Sequence, residues 1–272
     1  MDTPSCTLIA NTFHSTLSKI QFNNAPAVIK VYRRRDARAI SQFTTEVSIL
    51  QELQSITPTP HPNIITLLAS SIDDLTITLA YAPGQTLDNL IDPATQKCIL
   101  SPSDAAKIQL QMANAISFVH GNRIIHDDVK PDNIIYDKDT QNAVLVDFGA
   151  AFRVPEDGVV LFNLSGTPPY APPEYLQRRK GMGGDVWALG VTMLFVMGYI
   201  KLPDGEWILP MTFEDAKVKE EMETWLAEVE SWRRKAGNGE IDTLLGEILE
   251  GDPDRRIGSQ ELSRLLSERS RG

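Results

Sequence analysis

No glycine precedes Gly84 in this chain of 272 residues. That absence excludes a glycine-rich phosphate-binding pattern from the first third, and any turn there needing positive φ must use other residues. Cysteine is nearly missing as well. Cys6 and Cys98 alone supply neither a disulfide framework nor metal-ligand spacing, and a reducing compartment is expected. There is no long apolar run: Val186 to Ile200, interrupted by Gly190 and Gly198, spans about fifteen residues, too short for a bilayer, and reads as a buried core helix. Met1-Asp2-Thr3-Pro4 lacks a basic and apolar leader, so secretion is not expected. Positive charge is scarce, with a formal net charge of −10, which argues against a nucleic-acid surface. The one strong basic run, Arg33-Arg34-Arg35, reads as the solvated end of a strand or the start of a helix.

What remains is ordinary globular composition, 42% apolar and 23% charged, in a chain long enough for one large domain or two lobes. Up to about Tyr81 the pattern is β-rich, with short runs at Leu8-Ile9, Ala27 to Tyr32, Ile64 to Leu68 and Leu75 to Tyr81. One amphipathic helix interrupts them, with Ile40, Phe43, Val47 and Leu50 forming its expected buried face. Beyond Gly84 the pattern turns helical. Ser101-Pro102-Ser103-Asp104 predicts a helix start with a capping box, and Ile108, Met112, Ile116 and Val119 continue its apolar stripe. Gly251-Asp252-Pro253 is expected to stop a late helix and Ser259 to cap the last one.

The chemistry concentrates in two acidic signatures. His126-Asp127-Asp128-Val129-Lys130-Pro131-Asp132-Asn133 places a carboxylate, an amine and a carboxamide in one short loop, and Val146-Asp147-Phe148-Gly149 adds a second carboxylate. Transfer of a phosphoryl group needs that set: a group orienting the attacking hydroxyl, a cation near the transferring oxygens and oxygen ligands for Mg²⁺. Around these motifs, in order, stand Ala27-Val28-Ile29-Lys30, Glu46, His61-Pro62-Asn63-Ile64, Gly166-Thr167-Pro168-Pro169-Tyr170, Pro173-Glu174, Asp185-Val186-Trp187 and Arg256. With these motifs in this order, the sequence resembles a eukaryotic-type protein kinase over nearly its whole length.

The resemblance implies an α+β bilobal fold: a β-rich N-lobe at 1–80, a hinge at 81–84 and a mostly helical C-lobe at 85–272. It implies ATP and Mg²⁺ as cofactors. Lys30 would meet the α- and β-phosphates, held by Glu46, and Val28, Leu79, Tyr81 and Ile135 would line the nucleotide site. Asp128 would orient the substrate hydroxyl, Lys130 would neutralise the γ-phosphate, and Asn133 and Asp147 would bind the metal. Strand alternation puts Val28, Lys30 and Tyr32 on one face. His126 and Phe148, with Leu50 and Leu67, resemble the apolar column linking kinase lobes. Lys130 and Thr167 resemble the serine/threonine branch, so the expected partner is a protein substrate with a Ser or Thr acceptor. A catalytic domain alone is expected, with any regulation coming from a protein partner or from expression, no membrane and a cytoplasmic or nuclear setting.

Two departures stand out. The hairpin that should cover ATP, Ile9 to Ser18 with Asn11, Thr12, Phe13 and His14 near its tip, has no glycine, and weaker ATP binding is expected. Asp127 stands where regulated relatives carry an arginine that docks a phosphorylated activation loop, and aspartate would repel a phosphate. Activity independent of phosphorylation in that loop is therefore expected, with Arg153 either pairing Asp127 as a phosphate-free latch or standing solvent-exposed without a partner. Glu174 and Arg256 are expected to form a buried pair, and Asp185 to hold the catalytic-loop backbone. Glu220, Glu221, Glu223, Glu228 and Glu230 read as a solvated helix surface. Two other functions fit the same residues: a pseudokinase scaffold, and a kinase-like enzyme acting on a small molecule.

Overall fold

The computed structural model describes residues 6–12, 15–33, 36–203 and 208–271. Phe13 and His14 at the expected hairpin tip, and Arg34 and Arg35, lie outside them. The first strands are β1 (Thr7–Asn11), β2 (Ser15–Phe22) and β3 (Ala25–Tyr32); helix α1 (Ala37–Ser55), β4 (Leu67–Ser71) and β5 (Thr76–Ala80) follow. They form a five-stranded antiparallel sheet ordered β1-β2-β3-β5-β4. With no glycine to close the β2–β3 hairpin, Asn23 and Asn24 do so at φ 50° and 62°, the conformation that a two-residue hairpin turn requires and asparagine tolerates.

Asp36 caps α1 by accepting the Ala39 N–H at 2.9 Å. The helix buries Ala39, Phe43, Glu46, Ile49, Leu50 and Leu53, whereas Ile40 is 41% exposed and Val47 only half-buried. The expected apolar stripe is thus rotated, because the inward face is shared with a carboxylate, Glu46, that must reach β3. The run Ile64 to Leu68 is also strand only from Leu67; Ile64 makes an isolated parallel bridge to Leu145.

The remaining chain holds β6 (Gln85–Thr86), α2 (Pro102–Gly121), β7 (Ile124–Ile125), β8 (Ile134–Asp137), β9 (Asn142–Leu145), β10 (Phe152–Arg153), α3 (Met182–Val196), α4 (Ala216–Gly237), α5 (Leu244–Ile248) and α6 (Ser259–Arg269). The expected capping box starts α2: Ser101 Oγ accepts the Asp104 N–H at 3.1 Å, and Asp104 accepts the Ser101 N–H. Helix α3 is buried from Asp185 to Val196 and forms the axis of this region. Gly190 lets α5 approach it, since a Cβ there would stand 2.6 Å from Ile248 and Leu249 side-chain atoms. Gly84 does the same at the end of the connection from β5. At φ 102° its Cβ would stand 2.1 Å from the Tyr136 carbonyl oxygen, so this backbone lies directly on β8.

Helix α6 begins differently from expectation. Gly258 is its N-cap, and the buried Ser259 hydroxyl instead meets His120 Nδ1 at 2.9 Å. The acidic stretch follows its sequence reading: Glu220, Glu221, Glu223 and Glu228 are exposed on α4, and Glu230 pairs with Arg233 and Arg234. Among the described residues no helix is long and apolar enough to cross a membrane.

Candidate active site

Lys30 is buried in β3, and its Nζ donates to Glu46 Oε2 and to Asp147 Oδ1, both at 2.8 Å. Burial opposes its charge, but Glu46 and Asp147 outweigh that and hold the ammonium well above the ordinary lysine range. Asp147 sits at φ 60°. Burial would raise its pKa, but Lys30 and the Gly149 N–H together bring it down to about 2. Tyr32, two residues along the same strand face, donates its hydroxyl to Glu46 Oε2 at 2.6 Å. Desolvation and the Glu46 charge push that phenol upward. Only the alternation of β3 pointed to Tyr32, and no motif named it.

The loop after β7 is fixed from behind. Asp185, in the first turn of α3, accepts the backbone N–H of His126 at 2.8 Å and of Asp127 at 2.9 Å. His120 Nε2 lies 2.9 Å from Asp185 Oδ2, so Ser259, His120 and Asp185 form a buried chain ending on that backbone. Asp127 takes φ 63°, which turns the loop sharply before Asp128. The rings of His126 and Phe148 pack edge-on at 4.7 Å, and Leu50 and Leu67 share the core that holds Phe148.

Three side chains meet at Asp128. Thr167 Oγ1 donates to Asp128 Oδ1 at 2.6 Å, Lys130 Nζ lies 2.9 Å from Asp128 Oδ2, and Lys130 also donates to Thr167 Oγ1 at 2.9 Å. Burial disfavours the Lys130 charge, but Asp128 more than compensates and raises its pKa. Asn133 Nδ2 donates to the Asp128 carbonyl at 2.8 Å and to Asp128 Oδ2 at 3.0 Å, leaving Oδ1 as its available acceptor. Asp147 likewise receives Lys30 and the Gly149 N–H on Oδ1, leaving Oδ2. These oxygens suit a hard divalent cation.

The residues expected around the nucleotide lie on adjoining strands. Val28 faces Leu79 across the β3–β5 pair, Ile135 faces Thr86 across β6–β8, and the Tyr81 ring lies under the Lys19 ammonium, 3.8 Å from its centroid. Between β1 and β2, the Ser15 N–H donates to Thr12 Oγ1 at 3.0 Å, and the Thr12 N–H to the Ser15 carbonyl at 2.9 Å.

At the site itself one expectation is overturned. Arg153 does not pair with Asp127; its Nη2 lies 2.6 Å from Glu52 Oε2 of α1. The cation on Asp127 is Lys180, at 2.6 Å, which no sequence motif marked. The other long-range pair is as expected: Arg256 Nη1 and Nη2 grip Glu174 at 2.7 and 2.8 Å, fully buried.

A family model described as the protein kinase domain matches residues 16–265. Among curated proteins, the chain is 32% identical to serine/threonine-protein kinase ppk34 of Schizosaccharomyces pombe over 82% of its length and 62% of that protein's. It is 32% identical to death-associated protein kinase 2 of Mus musculus over 60% of this chain and 44% of that one. With CBL-interacting protein kinase 11 of Oryza sativa subsp. japonica the identity is 28% over 83% and 42% of the two chains. The chain therefore spans less than two thirds of the length of each of these relatives.

Proposed function

This chain belongs to the protein kinase domain family, and from that premise we propose that it transfers the γ-phosphoryl group of ATP to Ser or Thr hydroxyls of protein substrates. The observation that carries the proposal is the triangle of Asp128, Lys130 and Thr167, beside a lysine anchored by both Glu46 and Asp147. Asp128 orients the acceptor hydroxyl and takes its proton. The hydroxyl oxygen bonds to the γ-phosphorus as the β–γ bridging bond breaks, and ADP leaves with that electron pair. Lys130 neutralises charge on the transferring oxygens, and Lys30 fixes the α- and β-phosphates. Asn133 and Asp147 would hold Mg²⁺, which when bound offsets the charge on the phosphates.

Activity without phosphate on the activation segment belongs to the same proposal, supported by the carboxylate at Asp127. The experiment is transfer of label from ATP, with Mg²⁺, into a Ser/Thr peptide library, beside an Asp147→Asn control. Transfer absent from the control is the expected result. Nucleotide binding without transfer would replace this reading with that of a scaffold, and transfer to metabolites alone with that of a small-molecule kinase.

A further inference from the structure

Arg178, Arg179 and Lys180 are three consecutive cations in the passage from the short 3-10 helix Pro173–Gln177 to α3, and they go to three different places. The Arg178 guanidinium lies over the Phe213 ring at 4.2 Å. Arg179 reaches exposed Asp254 at 3.3 Å. Lys180 turns inward, with its side chain 7% exposed. Its Nζ donates to both Asp127 oxygens at 2.8 and 2.6 Å, to Asn163 Oδ1 at 2.7 Å, and to the Ser165 carbonyl and hydroxyl oxygens at 2.9 Å. The Ser165 hydroxyl in turn donates to Asp127 and lies against Asn163.

One ammonium thus joins the catalytic loop (His126 to Asn133), through Asp127, to the activation segment (Ala150 to Ala171), through Asn163 and Ser165. The junction brackets the acceptor triangle. Asp128 follows Asp127 directly, and Thr167, its bonding partner at 2.6 Å, lies two residues beyond Ser165. A shift of the segment away from Asp127 would carry Thr167 away from Asp128. A compact ammonium with three rotatable donors suits such a cage of oxygens better than a planar guanidinium.

We propose that Lys180 is a positioning residue: its ammonium holds the segment 163–167 in register with the catalytic loop, supplying from within the chain the contact that a phosphate and an arginine make in phosphorylation-dependent relatives. The proposal rests on the kinase reading above. Stability alone gives little reason for the pair. Burial pushes the Asp127 carboxyl up and the Lys180 ammonium down, and buried ion pairs commonly yield no net stability over apolar replacements. Its contribution is geometric.

Two variants test this. Lys180→Met removes the ammonium at similar length, and Asp127→Asn with Lys180→Met avoids leaving an unpaired buried carboxylate, so that folding is retained. In both, kcat/KM for peptide should fall about tenfold to a hundredfold, a range corresponding to one or two lost charge-assisted contacts. The Kd for ATP should stay within about twofold of wild type. Amide hydrogen exchange should quicken over 160–168 and remain unchanged in α3, which a merely destabilising change would not do. Arg179→Ala, whose side chain never reaches the segment, should match wild type in every measurement. Peptide turnover by both variants at the wild-type level would overturn the proposal, as would loss of wild-type activity on phosphatase treatment. If the wild type phosphorylates no peptide, the kinase reading fails, while the exchange comparison still decides whether Lys180 holds the segment.

Discussion

Tyr32 donates its hydroxyl to Glu46 Oε2 at 2.6 Å, the same oxygen that receives the Lys30 ammonium. The other oxygen, Oε1, is buried and has no hydrogen-bond partner among the described residues. Among the described residues, both hydrogen bonds that tie the Glu46 carboxylate of α1 to β3 therefore act on one atom. Tyr32→Phe removes one of two donors to a buried carboxylate, a change of about 1.5–3 kcal/mol for a bond to a charged group. Thermal melting should register that loss, and kcat/KM for ATP should fall about tenfold.

Lys130 and Thr167 should separate in their kinetics from the residues that hold nucleotide. Lys130→Met should lower kcat about a hundredfold or more with little change in the KM for ATP, as expected for charge stabilisation acting mainly in the transition state. Thr167→Val should also lower kcat, and Thr167→Ser, which keeps the hydroxyl on Asp128, should recover most of it. Steady-state assays at varied ATP and peptide distinguish these effects.

Arg256→Ala leaves Glu174 as an unpaired buried charge, and denaturant unfolding should show a loss of about 3–5 kcal/mol. Because both residues belong to one interaction, the Arg256→Ala, Glu174→Ala double variant should lose less than the sum of the single losses.

The depressed Asp147 pKa fixes a pH window. Its folded value of about 2 lies below the ordinary value of about 3.9, so ionised Asp147 stabilises the fold above the ordinary value, and that contribution disappears as pH falls through the folded one. Asp147→Asn should accordingly be less stable than wild type at neutral pH, and the two should converge between about pH 4 and pH 2. Unfolding midpoints across that range provide the check.

The glycine-free hairpin makes a further prediction. The Thr12 hydroxyl occupies the Ser15 N–H, an amide that a nucleotide phosphate could otherwise use. Thr12→Gly should tighten ATP binding about threefold to tenfold by calorimetry. An unchanged Kd would show that this turn does not limit affinity.

Much of this arrangement was legible in the chain because it is local or tied to a motif. The Ser101 capping box, the strand carrying Lys30, the position of Glu46 one turn before Leu50, and the buried Glu174–Arg256 pair all follow from short patterns or from fixed landmarks of a known family. Lys180 was not legible. Its partners lie fifteen to fifty-three positions away, and a lysine after two arginines reads as surface charge until the backbone turn that sends it inward is seen. Arg153 misled for the complementary reason: its position in the segment suggested Asp127, but the strand pair β7–β10 presents it to Glu52 on α1. Ile40 and Ser259 show that a periodicity or a capping residue type fixes an element more securely than the side chain's partner within it.

The buried chain from Ser259 through His120 to Asp185 bears on when the site comes into being. Its hydrogen bonds close sequence separations of 139 and 65 residues, and such non-local contacts form only after large loop-closure entropies have been overcome. Ser259 opens α6, so the loop carrying Asp128 is fully braced only once α6 has docked beside His120 on α2. Until that docking, Asp128 and its neighbours lack the complete scaffold that aligns them.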